Sequence, residues 1–319
     1  MSSYRHRLPF AATSADLPVA SRRLLSRRAM LGGLAGLAAL GGVTACGGAE
    51  ALSPKEAANI GGDDRLPTET APPQIPTDPP LISGSFVSAK MAGRETRWAL
   101  TRPSGVTGEL PVLIVAHALN TNERSIFGQA LNIQGVVQQY VNAGNPPFAV
   151  ASVDAGRNYF HARTDGADGA AMIIDEFIPM LDTSPELNLR TDRIGLYGWS
   201  MGGYGALRLG ALIGAPRVAA IAVSSPAMWG DPNNFPPRAF DSYADYATNS
   251  LFGQQHAFSK IPLMISIGMA DQFYTYTRQW AADLHPPAAF STTPGGHTNR
   301  FWRSVLPDQV EFLGRNLAR

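Results

Sequence analysis

Ile194-Gly195-Leu196-Tyr197-Gly198-Trp199-Ser200-Met201-Gly202-Gly203, running on through small residues to Ile213, decides how the rest of this chain is read. An apolar run, Ile194–Tyr197, predicts a buried strand. The stretch Gly203–Ile213 predicts a helix, and Gly-x-Ser-x-Gly sits between them. This is the pattern of a nucleophile elbow, in which a serine on a sharp strand-to-helix turn projects its hydroxyl from the sheet edge. The flanking glycines are a steric demand: a strained serine needs neighbours two positions away without Cβ atoms. As a bare pattern the motif is weak in a chain with 32 glycines among 319 residues. Its setting gives it weight.

Elbow hydrolases carry their partners in the order serine, acid, histidine. Of the six histidines only His256, His285 and His297 follow Ser200, and no glutamate stands between Ser200 and His297. The aspartates there are Asp231, Asp241, Asp245, Asp271 and Asp283. Asp271 alone comes just past a buried-strand pattern, Leu263–Ile267, closed by Gly268. His256 precedes that acid and is excluded. His285 reads as a helix end. His297 follows the last expected strand, Ala288–Thr292, in Pro294-Gly295-Gly296-His297, a loop whose glycines allow a sharp return.

The expected catalytic group is therefore Ser200, His297 and Asp271. His297 would take the serine proton as general base, and Asp271 would hold the imidazole tautomer and stabilise the imidazolium. The Met201 N–H, at a helix N-terminus, would be one donor to developing negative charge. A second should follow an earlier strand. Val112–Ala116 is that strand, and His117-Ala118-Leu119-Asn120-Thr121 follows it, with Leu119 N–H preferred and Ala118 the alternative.

Three blocks together resemble a known family. Gly198–Leu207, Gly268-Met269-Ala270-Asp271-Gln272-Phe273, and Gly295-Gly296-His297 with Phe301-Trp302 look like the esterase D-type branch of the α/β-hydrolases. That branch includes S-formylglutathione hydrolases, secreted acyl esterases and mycolyltransferases. The resemblance runs from about Ser83 to the C-terminus. Many relatives have glycine where Ala118 stands.

Composition separates the chain into electrostatic parts. Residues 1–45 hold Arg5, Arg7, Arg22, Arg23, Arg27 and Arg28 against only Asp16, so the formal charge of +1 hides a remainder with 20 basic and 24 acidic residues. Nucleic-acid binding would require a basic surface, which this remainder does not offer. Arg27-Arg28 precede a Gly/Ala-rich apolar stretch ending at Ala45, which resembles a Tat export signal. Val43-Thr44-Ala45-Cys46-Gly47 resembles a lipobox, so residues 1–45 are expected to be a signal peptide and Cys46 a lipidated N-terminus. An ordinary signal or an uncleaved anchor is the alternative. As the only cysteine, Cys46 excludes an intramolecular disulfide and a Cys-rich metal site. Residues 46–82, with seven prolines, read as a tether.

From residue 83 to 319 the chain alternates strands and helices, predicting an α/β-hydrolase fold: a mostly parallel sheet covered on both faces. A hairpin, Ile82–Lys90 with Thr96–Thr101, enters it. Further strands are expected at Val112–Ala116, Phe148–Val153, Arg193–Tyr197, Ala219–Val223, Leu263–Ile267 and Ala288–Thr292. Met172, Ile173, Phe177, Ile178 and Leu181 mark one helix face, and Leu306, Val310, Leu313 and Leu317 another. Ligands of such sheets bind beyond the strand C-termini. Tyr159, His161, Arg163, Asp165 and Trp229 are therefore pocket candidates, and residues 230–260 a small cap.

The resulting expectation is an exported, lipid-anchored serine carboxylic ester hydrolase without metal or cofactor. Its substrates would be short or medium acyl esters, small molecules or cell-envelope components, because the loops nearest the site are polar. No obligate protein partner is implied. Acyl transfer to another acceptor and a non-catalytic binding role are the alternatives.

Overall fold

The structure, a computed structural model, describes residues 81–319. The expected signal peptide, the lipidation site Cys46 and nearly all of the tether lie outside the described residues.

Eight strands form one sheet: β1 (Ile82–Ser88), β2 (Arg94–Thr101), β3 (Leu110–Ala116), β4 (Ala149–Val153), β5 (Leu189–Trp199), β6 (Val218–Ser224), β7 (Leu263–Gly268) and β8 (Ala289–Thr293). Their order is β1-β2-β4-β3-β5-β6-β7-β8. β1 and β2 pair antiparallel, β2 joins β4 antiparallel, and every later pairing is parallel. This is the α/β-hydrolase arrangement that the sequence predicts, with each strand shifted by no more than a few residues.

Burial explains the layering. Every residue of β4 and β6 is buried, as a parallel sheet covered on both faces requires. The side chains of β3 divide by parity: Val112, Ile114 and Ala116 enter one apolar cluster, Leu113 and Val115 the other. Helix α4 (Met201–Ile213) and the segment Gly169–Asp182 cover the first face. The latter runs through α2 (Gly169–Met172), a wide π-helical turn (Ile173–Phe177) and α3 (Ile178–Asp182). The turn accommodates the adjacent apolar pairs of that stretch, and all five residues of the expected stripe are buried. Helices α1 (Ile133–Asn142) and α7 (Asn299–Leu317) cover the other face. On α7 the stripe Leu306, Val310, Leu313 and Leu317 is wholly buried.

Residues 230–260, the expected cap, run from beyond the C-terminal end of β6 back to the N-terminal end of β7, with little regular structure other than α5 (Tyr243–Asn249) and a 3₁₀ turn at Gln255–Phe258. Helix α6 (Tyr274–Ala282) links β7 to β8. Among the described residues no helix is long and apolar enough to cross a membrane.

Candidate active site

Ser200 joins β5 to α4 with φ 55° and ψ −122°, a backbone region that costs a non-glycine residue about 1–3 kcal/mol. Four backbone hydrogen bonds hold it there. Its N–H donates to Ser224 O (3.0 Å), and its carbonyl accepts from the N–H groups of Gly203, Tyr204 and Ala227 (3.0, 3.2 and 2.9 Å). At about 1 kcal/mol each, these bonds are sufficient to offset the strain. The motif glycines are close-approach residues. A Cβ on Gly198 would stand 2.0 Å from Gly202 O, and one on Gly202 would stand 1.9 Å from Ala116 O.

Asp271 follows β7 and is buried. Its Oδ1 accepts from Phe273 N (2.9 Å), which leaves Oδ2 facing His297 Nδ1 at 2.9 Å. The His297 loop is brought there by backbone pairing: Met269 N–H donates to Thr293 O and Ala270 N–H to Gly295 O (3.0 and 2.9 Å). Gly268 permits the approach, since a Cβ there would lie 2.3 Å from Gly295 O. Thr298 caps α7 through its side chain and so fixes the residue before it.

His297 Nε2 lies 2.8 Å from Ser200 Oγ. A carboxylate only accepts, so the imidazole proton belongs on Nδ1 and Nε2 is free to accept from the serine hydroxyl. Phe273 and Trp302 flank the imidazole edge-to-face, at ring distances of 5.2 and 4.9 Å. The structure thus brings Ser200, His297 and Asp271 into one hydrogen-bonded chain. It leaves His285, exposed before β8, at the opposite strand end, and Asp283 at the C-cap of α6.

Met201 opens α4, so its N–H has no partner within the helix. Ala118-Leu119-Asn120-Thr121 form a turn closed by Thr121 N–H to Ala118 O (3.2 Å), with Asn120 at φ 62°. Ala118 does not have a positive φ, so a side chain is tolerated where relatives carry glycine.

The five pocket candidates separate. Trp229 packs on Phe273 (5.3 Å), and Tyr159 on Trp229 (5.8 Å), which links both through aromatic contacts to the His297 ring. The other three are engaged elsewhere. His161 is fully buried and set between Ala162 O and Ala239 O (3.0 and 2.8 Å); burial lowers its pKa. Arg163 pairs with Asp241 and the Arg238 carbonyl. Asp165 pairs with Arg94 on the surface. The expectation that these three line the pocket is therefore corrected: His161 and Arg163 fasten the segment around Ala239 and Asp241, and Asp165 fastens the hairpin. Phe273, which packs on His297, is a site residue outside the sequence expectation. Its position two residues after the acid was the available signal, because its N–H satisfies Asp271 Oδ1.

A family model described as "Putative esterase" matches residues 88–313. The chain belongs to this esterase family. Solved structures agree at the level of the fold. A ferulic acid esterase is 19% identical with a TM-score of 0.61, over 74% of this chain and 98% of that one. The S-formylglutathione hydrolase of Staphylococcus aureus is 15% identical with a TM-score of 0.60 over the same shares. MPT51 of Mycobacterium tuberculosis is 15% identical with a TM-score of 0.59, over 75% and 99%. A search of curated proteins finds no sequence relative. Among the described residues of this esterase, no group of His, Cys, Asp and Glu has the arrangement of a metal site.

Proposed function

We propose that this esterase is a serine carboxylic ester hydrolase in which Ser200 is the nucleophile, His297 the general base and acid, and Asp271 the group that orients and stabilises the imidazole. The observation that carries this is the unbroken chain Asp271 Oδ2, His297, Ser200 Oγ, with both links under 3 Å. As Oγ attacks the ester carbonyl, its proton passes to His297 Nε2 and the carbonyl oxygen becomes an oxyanion facing the Met201 and Leu119 N–H groups. Collapse breaks the bond to the alcohol, which leaves with the proton from Nε2. Water then attacks the acyl-enzyme, gives a proton to Nε2, and releases the acid as Oγ regains its proton.

The proposed substrates are esters with short or medium acyl groups. Tight packing supports this: Ser200 is 6% exposed, Phe273 and Trp302 flank the imidazole, and Trp229 packs behind Phe273. Hydrolysis of p-nitrophenyl esters of graded length is expected to peak at short or medium chains. Activity rising steadily to long chains, or transfer to an added alcohol exceeding hydrolysis, would contradict it. We also propose export and lipid anchoring at Cys46, on the twin-arginine and lipobox patterns. Cys46→Ser is expected to move the protein from membranes to the soluble exported fraction, and unchanged membrane association would refute the anchor.

A further inference from the structure

The Ala118 carbonyl, in the same peptide unit as the expected oxyanion donor Leu119 N–H, is held by more donors than the fold requires. Thr121 N–H closes the turn on it at 3.2 Å. Thr121 Oγ1 donates to the same oxygen at 2.8 Å, and His117 Nδ1 lies 2.9 Å from it. The backbone bond alone closes the turn and satisfies the carbonyl. The two side-chain donors therefore add directional hold to an acceptor that already had a partner.

The His117 tautomer follows from its other nitrogen. Ala155 N–H donates to Nε2 at 3.0 Å, so Nε2 presents its lone pair and the single proton of the neutral ring sits on Nδ1, aimed at Ala118 O. The ring is fully buried with Phe160 against it at 5.8 Å, and burial lowers its pKa, which keeps it neutral. Asp154 Oδ1 is farther from Nε2, at 3.6 Å, and accepts from Gly156 N instead.

A trans peptide is planar, with its C=O and the following N–H pointing in opposite directions. Fixing Ala118 O therefore fixes the direction of the Leu119 N–H. The two peptides just before it neighbour the elbow: the Cβ absent from Gly202 would meet Ala116 O at 1.9 Å and His117 O at 2.6 Å. The first turn of α4, carrying Met201 N–H, thus rests on the backbone that leads into Leu119.

We propose that His117 and Thr121 are positioning residues that clamp the Ala118–Leu119 peptide and so aim the Leu119 N–H at the oxyanion formed beside Ser200. This rests on the assignment of Ser200 as nucleophile. The clamp acts before the reaction, because its donors bind the carbonyl and never touch the substrate. Its contribution is preorganisation, which matters where charge develops and not where the ground-state ester binds.

The test uses the full chain as wild type, Thr121→Val, Thr121→Ser and His117→Gln, the last placing its amide at the Nε2 position and out of reach of Ala118 O. Loss of a whole oxyanion donor costs roughly 10²–10³ in kcat, so misaiming one should cost about 10-fold. Thr121→Val and His117→Gln are expected to lose about 10-fold in kcat with KM within about twofold. Inhibition by a trifluoromethyl ketone, which mimics the tetrahedral adduct, should weaken by the same factor. Thr121→Ser should restore both to within about threefold. Melting curves identify any variant that does not fold, and the other variant then carries the comparison. Unchanged kcat and ketone affinity, a loss confined to KM, or failure of Thr121→Ser to restore activity would overturn the clamp. Fluorophosphonate labelling separates the two claims. An unlabelled wild-type Ser200 defeats the nucleophile assignment and the clamp with it; a labelled wild type matched in rate by Thr121→Val defeats the clamp alone.

Discussion

The backbone around Ser200 and the fastening of residues 157–168 to the cap hold their parts by different means. At the elbow, position is set by main chain pressed against main chain. Gly198, Gly202 and Gly268 leave gaps that a methyl group would close, and backbone hydrogen bonds span them. At the cap, position is set by side chains distant in sequence: Arg163 and Thr164 N–H to Asp241, His161 between two carbonyls, and Phe240 stacked on the His161 ring at 5.1 Å. The first construction is rigid because no rotamer can relax it. The second can be released by removing one charge. The proposed catalytic residues stand on the first kind, and the segment around Ala239 and Asp241 is tied by the second.

This difference orders the expected effects. Gly202→Ala should be the most damaging, costing at least about 3 kcal/mol, because its Cβ meets backbone that cannot give way. A folded, fully active Gly202→Ala protein would show that the elbow is softer than its geometry. Arg163→Ala should cost about 1–3 kcal/mol, intermediate between an exposed and a buried pair. It should raise KM more than it lowers kcat.

Acid sharpens this second test. The hydrogen bond from Arg163 pulls the Asp241 carboxyl down to about 2, with support from Thr164 N–H. A lowered pKa means stability that is complete above the unfolded value near pH 4 and lost as pH falls towards 2. Wild type should therefore lose melting temperature over that interval more steeply than Arg163→Ala. Equal slopes would remove Asp241 from the fastening. Asp165→Asn, on an exposed pair with Arg94, should be nearly silent, within about 0.5 kcal/mol.

Legibility in the sequence follows the same division. The sheet was legible because fully buried strands leave unbroken apolar runs, as in Val218–Ser224. The residues of the elbow, acid and histidine loop could be proposed because close backbone approach leaves glycine as a local mark. His161 and Arg163 were misassigned to a pocket for the opposite reason. A polar side chain after a strand looks the same in sequence whether it faces substrate or an aspartate 78 positions on, as Arg163 does with Asp241. Thr121 was passed over because a hydroxyl bonded to the backbone three residues before it leaves no pattern that separates it from any loop threonine.

The most direct measurement is active-site labelling with a fluorophosphonate, read by mass spectrometry of the modified peptide, in wild type, Ser200→Ala, His297→Ala and Asp271→Asn. Loss of the base or the acid should slow the reaction by roughly 10⁴-fold or more, since such groups act as a unit. The account predicts one label on Ser200 in the wild type, none in Ser200→Ala, and labelling reduced close to background in the other two. A label on a different residue, or Ser200→Ala retaining wild-type labelling and ester turnover, would contradict it.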